Sequence, residues 1–225
     1  MSGSLAVGLY LYAIVGARPR AAMGVGIAGG ALSVVRAGGA HVVVEHAAAP
    51  EPTAKNLRAH DRIVKRIAAA TPSVLPFRFG SMVTDGKALR ALLEPVTAAI
   101  GKALELVEGC VQYTLRVYGD AASADAGNAP AKTRVGPGTQ WLDLRLRARR
   151  VPEIAPVTEA TSTLVRAARA QRHDRPPLVA SVYHLVARAD AKRYRAALAR
   201  ATRDLSDVEV RTSGPWPPYA FAELP

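Results

Sequence analysis

Val7-Gly8-Leu9-Tyr10-Leu11-Tyr12-Ala13-Ile14-Val15 is short, apolar and aromatic, the composition of a buried β-strand rather than a helix. Working outward, Leu32 to Arg36 and His41 to His46 are two runs rich in β-branched residues, split by Gly38-Gly39, which supplies the positive φ angles of a hairpin turn. Between strand and hairpin, GVGIAGG (Gly24 to Gly30) matches the letters of a dinucleotide fingerprint. That fingerprint must follow a strand and open a helix, so that phosphates meet helix N-terminal amides. Here another strand follows, and the stretch reads as a glycine-rich turn leading into the hairpin.

From Thr53 to Ala70, Leu57, His60, Val64, Ile67 and Ala68 recur at three- and four-residue steps, predicting an amphipathic helix stopped by Pro72. Its charged residues Lys55, Arg58, Asp61, Arg62, Lys65 and Arg66 mostly face away. Val74 to Phe79 reads as a strand, in which Arg78 points opposite to Phe77 and Phe79. Asp85 is the N-cap of a helix through Val107, kinked or divided at Pro95. Val111, Tyr113, Leu115 and Val117 then alternate with polar residues as a half-solvated strand.

Gly119 to Thr139 has no periodicity and reads as a linker. Beyond it, 140–150 and 155–172 have helical character, and Arg166, Arg169, Arg172 and Arg175 would form a cationic stripe on the second of these helices. Leu178 to Ala187, Ala191 to Leu205 and Val208 to Thr212 predict a βαβ unit. The expected fold class is therefore α+β in two domains: 1–118, similar in plan to a modified ferredoxin-like fold; a linker, 119–138; and a smaller domain, 139–225, carrying helices and the βαβ unit.

The chain has 225 residues, with 30 Lys+Arg against 18 Asp+Glu, a formal charge of +12. With 49% hydrophobic residues it can bury a core, and wholesale disorder is excluded. One cysteine, Cys110, leaves no internal disulfide and no Cys-based zinc site. No apolar run is long enough for a membrane helix. The five histidines lack metal-ligand spacing, and no nucleophile elbow, P-loop or HExxH pattern occurs. No catalytic, cofactor-binding or metal site is expected, and His60 reads as a structural histidine on a core-facing helix position.

Two segments are more specific: Leu75-Pro76-Phe77-Arg78-Phe79-Gly80, and Gly214-Pro215-Trp216-Pro217-Pro218-Tyr219 with Phe221, a stiff segment with little entropy to lose on docking. Together with Leu9 to Val15, Asn56-Leu57 with His60, and Gly138 with Trp141-Leu142, they resemble the gas vesicle accessory proteins GvpF/GvpL. The sequence departs from the family pattern at Pro152 and Pro156. The resemblance implies a non-catalytic protein of gas vesicle formation, located at the gas vesicle or in the cytoplasm. Its partners would be the small hydrophobic shell subunit and other gas vesicle accessory proteins, with no nucleic acid, membrane or small-molecule substrate. Expected partner contacts are Arg78, Arg166, Arg169 and Arg172. Phe77, Phe79, Gly80, His60, Trp216 and Tyr219 are expected to be structural, with Trp216 and Tyr219 buried against the body of the protein. The competing class is a basic ferredoxin-like nucleic-acid-binding module stacking bases on Tyr10, Tyr12 and Tyr113.

Overall fold

In the computed structural model, residues 7–19, 23–119 and 151–223 are described. The chain divides into two compact units, Met1–Cys110 with Trp216–Pro225, and Val111–Pro215.

In the first unit, β1 (Gly8–Val15) is buried along its whole length. The hairpin of β2 (Ser33–Ala37) and β3 (Ala40–Ala47) turns on Gly38 and Gly39, at φ of 55° and 72°. With β4 (Val74–Pro76) the sheet order is β2-β3-β1-β4, and the two-residue β5 (Met82–Val83) also pairs with β1. These pairings are antiparallel. The β1–β3 register slips between Leu11 and Ala13, leaving Tyr12 as the extra residue of a bulge. The slip explains why Tyr10, Tyr12, Ala13 and Val15 all join one core with Ile63, Val64 and Ile67 of α1 (Ala54–Ala70).

Thr53 caps α1 by accepting from the Asn56 N–H. Leu57, expected inside, is 45% exposed; Ile63 is buried in its place. Asp85 caps α2 (Gly86–Leu93) through Oδ1, which accepts from the Lys87 and Ala88 amides. Pro95 sits in a 3-10 turn that separates α2 from α3 (Thr97–Val107), because a proline nitrogen cannot donate to the preceding turn.

The second unit is built on β6 (Cys110–Tyr118), α4 (Ala155–Thr161), β7 (Val165–Arg172), β8 (Leu178–Ala187), α5 (Ala191–Ala201) and β9 (Glu209–Trp216). Its sheet order is β7-β8-β6-β9. Three expectations are corrected. The strand ending at 118, assigned to the first domain, is a central strand of the second sheet, where Tyr113, Leu115 and Val117 pack with Tyr194 and Leu198. The helix expected over 155–172 ends at Thr161; the ten-residue β8 takes the rest as an antiparallel partner, from Val165 opposite Val186 to Arg172 opposite Ala180. The strand expected over 74–79 stops at Pro76, because Gly80 at φ 85° turns the chain and the Ser81 N–H donates back to the Arg78 carbonyl. The expected linker, apart from Gly119, and the expected helix 140–150 lie outside the described residues.

Candidate functional site

In the first unit the motif segments converge on one buried polar network. Tyr10 and Tyr12 project from β1 towards His60 of α1, which is 3% exposed, and the Tyr12 and His60 rings stack at 5.5 Å. His60 Nε2 lies 3.2 Å from the Phe77 carbonyl, which can only accept, so Nε2 carries the proton. Nδ1 then accepts from the Tyr10 hydroxyl at 2.9 Å, and that oxygen in turn accepts from the Gly80 N–H. Burial holds the His60 pKa below its ordinary value and pushes that of Tyr10 up, so both stay neutral near pH 7. Phe79 closes the cluster edge-on against Tyr10 and His60, with ring centroids 6.2 and 5.8 Å away.

The second half of the network centres on Glu45 of β3, which is 1% exposed. Its Oε2 accepts from the Tyr12 hydroxyl at 2.7 Å, and its Oε1 accepts from the backbone N–H groups of Ala28 and Gly30 at 3.1 and 2.8 Å. The Ile27 N–H donates to Tyr12 at 2.9 Å. The glycine-rich segment is thus a turn, as expected, and it is wrapped around a carboxylate. A Cβ on Gly26 would lie 1.9 Å from Glu45 Oε2, which requires glycine there. Sequence reasoning passed over Glu45; its one signal was an acid directly following the run Val42-Val43-Val44 within a strand.

The tail packs into the same unit. Pro217, Pro218 and Phe221 are buried, whereas Trp216 and Tyr219, expected to be buried, are intermediate in exposure. Tyr219 lies against the core of β1 and α1. Lys65 stands 4.2 Å from the centre of the Trp216 ring, a cation–π contact. Arg78 is exposed in the motif turn, not in a strand, and pairs with Glu223. Trp216→Ala is expected to cost about 1–2 kcal/mol, from partial ring burial and the lost Lys65 contact, read as a lower midpoint in thermal unfolding.

Of the expected site residues, the structure therefore gathers His60, Phe77, Arg78, Phe79, Gly80, Trp216 and Tyr219 in the first unit. Arg166, Arg169 and Arg172 stand on β7 in the second, on a strand and not along a helix face. Arg172 forms a two-pronged ion pair with Glu153, at 2.7 and 3.1 Å. A smaller counterpart of the first network occurs here: His184 Nδ1 lies 2.9 Å from the Tyr194 hydroxyl, and Tyr194 packs on Tyr113.

Chemically, the first network fixes two loops to a sheet. Both nitrogens of His60 and both oxygens of Glu45 are occupied by protein groups, and no cluster of three metal-ligating side chains occurs among the described residues. The site has the character of a scaffold.

A sequence profile of the family described as gas vesicle synthesis protein GvpL/GvpF matches residues 8–223. Gas vesicle protein L of Streptomyces sp. (strain CB03234) is 29% identical over 185 residues, covering 74% of this chain and 68% of that protein. Gas vesicle protein F of Haloferax mediterranei is 24% identical over 178 residues, covering 78% and 73%. The crystal structure of GvpF from Anabaena sp. PCC7120 superposes with a TM-score of 0.72 at 18% identity, over 96% of both chains, a likeness of fold. GvpF from Microcystis aeruginosa superposes equally well, with a TM-score of 0.72 at 16% identity.

Proposed function

We propose, from the premise that this chain belongs to the GvpL/GvpF family of gas vesicle synthesis proteins, that it is a non-catalytic assembly factor which binds the small hydrophobic shell subunit while the vesicle wall grows. The observation that carries this reading is the family match over 8–223, which takes in both units. The shell subunit must be kept from indiscriminate aggregation before it is added to the wall, and a soluble partner covering its apolar surface does that. Arg78, Arg166, Arg169 and Arg172 add electrostatic steering to that contact. Other accessory proteins of the vesicle are further partners, and the site of action is the gas vesicle in the cytoplasm. No helix among the described residues is long and apolar enough to cross a membrane.

We read both units as variants of the ferredoxin-like plan. In support, each sheet places four strands, counted in chain order, as second, third, first and fourth, with the short β5 an addition to the first sheet. The nucleic-acid reading loses its main support, since Tyr10, Tyr12 and Tyr113 are at most 1% exposed and offer no ring for a base to stack on.

The test is capture of purified shell subunit by the immobilised full chain between 0.1 and 1 M salt. The Debye length shrinks from about 10 Å to about 3 Å across that range, which removes steering but leaves apolar burial. Capture is expected to weaken only severalfold, and Arg78→Ala to slow association at low salt without lowering the thermal midpoint. Absence of capture at both salts, or duplex DNA binding that falls by orders of magnitude with salt, would overturn the reading.

A further inference from the structure

The cationic helix stripe that the sequence suggested over 166–175 does not exist, but a different one does. On α1, Lys55, Arg58, Arg62 and Arg66 follow one another at steps of three, four and four residues. At 3.6 residues per turn they make one column, about 16 Å long at 1.5 Å per residue. It runs along the face opposite His60, Ile63, Val64 and Ile67, which are buried.

This arrangement works against the helix that carries it. A helix N-terminus bears partial positive charge and favours acids, yet the first turn of α1 holds no acidic residue and Lys55 stands in it. The last turn, where cations are favourable, holds no basic residue. Arg58 and Arg62, and Arg62 and Arg66, are like charges at i,i+4, a repulsive spacing. Among the described residues the compensation is partial: the Arg66 guanidinium donates to the Val25 carbonyl at 2.8 Å. Lys55, Arg58 and Arg62 are exposed, and their side chains make no hydrogen bond or ion pair with another described residue. By contrast, Asp61 and Lys65, beside the column, pair with each other at 2.7 Å. Local choices that oppose the stability of their own element are expected where a surface is shaped for a partner.

We propose that the outer face of α1 is a docking surface for an acidic helical segment of a partner protein, with carboxylates at matching three- and four-residue steps. Charge complementarity along one column selects that occupant: a second helix lying along α1 presents carboxylates at the same axial repeat as the cations. Nucleic acid fits less well. The column carries no aromatic side chain on which unpaired bases could stack. This surface goes beyond the shell-subunit contact, which is apolar in character, and does not depend on it.

The test uses the full chain, isotopically labelled for amide NMR. The probes are a synthetic helical peptide with glutamates at i, i+4, i+7 and i+11, an isomer of the same composition with the glutamates scrambled, and a DNA duplex of equal charge. The patterned peptide is expected to shift resonances of residues 55–66, and to bind at least tenfold more tightly than the scrambled isomer. Arg58→Glu/Arg62→Glu is expected to remove at least tenfold of that affinity while leaving the thermal midpoint unchanged or raised, because it relieves repulsion on the helix. Equal binding of the two peptides, unchanged binding by the double variant, shifts elsewhere on the protein, or tighter binding of the duplex at the same residues would each overturn the proposal.

Discussion

Glu45→Ala is expected to destabilise the protein by about 3–5 kcal/mol, because it strands the Tyr12 hydroxyl and the Ala28 and Gly30 amides without an acceptor at a buried position. Each unmatched buried donor costs about 1–3 kcal/mol, and the total is limited by how far the glycine loop opens to let water reach the amides. Glu45→Gln keeps the shape and one acceptor oxygen, so a smaller loss, about 1–2 kcal/mol, is expected. Gly26→Ala reaches the same end from the other side: its Cβ would sit 1.9 Å from Glu45 Oε2 and must push the loop away. Denaturant unfolding measures the loss, and amide exchange over residues 24–31 locates it. A Glu45→Ala protein that unfolds within 1 kcal/mol of wild type, with its loop still protected, would show that the carboxylate is not what holds this segment.

Acid lability is the second large effect. His184 is 3% exposed, and burial lowers its pKa from the usual 6.5 to about 4. The sign follows from proton counting: between those values the unfolded chain binds a proton that the folded chain refuses, so lowering pH favours unfolding. The full contribution is present above pH 6.5 and is lost as pH falls towards 4, amounting to about 3 kcal/mol. His60, whose pKa is also lowered by burial, acts in the same direction. Unfolding free energies at pH 7 and pH 4.5 measure it. His184→Asn, whose side-chain amide overlays the Nδ1 that meets the Tyr194 hydroxyl, should lose about 2–3 kcal/mol less than wild type on acidification. An identical loss in both proteins would assign the pH dependence to other groups.

The parts of the fold legible in the sequence are those set by local chemistry. Gly38-Gly39 announces its hairpin, Asp85 marks a helix start by its capping oxygen, and Pro95 breaks a helix where the missing N–H demands it. What stayed hidden depends on distant partners. Alanine and arginine are good helix formers, so Val165 to Arg172 reads as helix until β8 claims it as a neighbour, an override of propensity by tertiary pairing. The placement of β6 was hidden for the same reason: alternation shows that a strand exists but not which sheet receives it. At the site, the aromatic motif residues lie around the buried network, and His60 sits on the inner face of its helix, where its spacing put it. Glu45 was missed because two of its partners are backbone amides, which leave no mark on side-chain identity beyond the glycines that make room, and the third, the Tyr12 hydroxyl, comes from a strand distant in sequence. The charged residues of α1 were seen to face outward, but the cost of their arrangement emerges only once the ends and register of the helix are fixed.

The central claim, an assembly role in gas vesicle formation, is tested most directly by complementation. In a host carrying a gas vesicle gene cluster from which this gene has been deleted, electron microscopy should show few or no vesicles, and expression of the full chain should restore them. Normal vesicles in the deletion strain, in number and shape, would contradict the account.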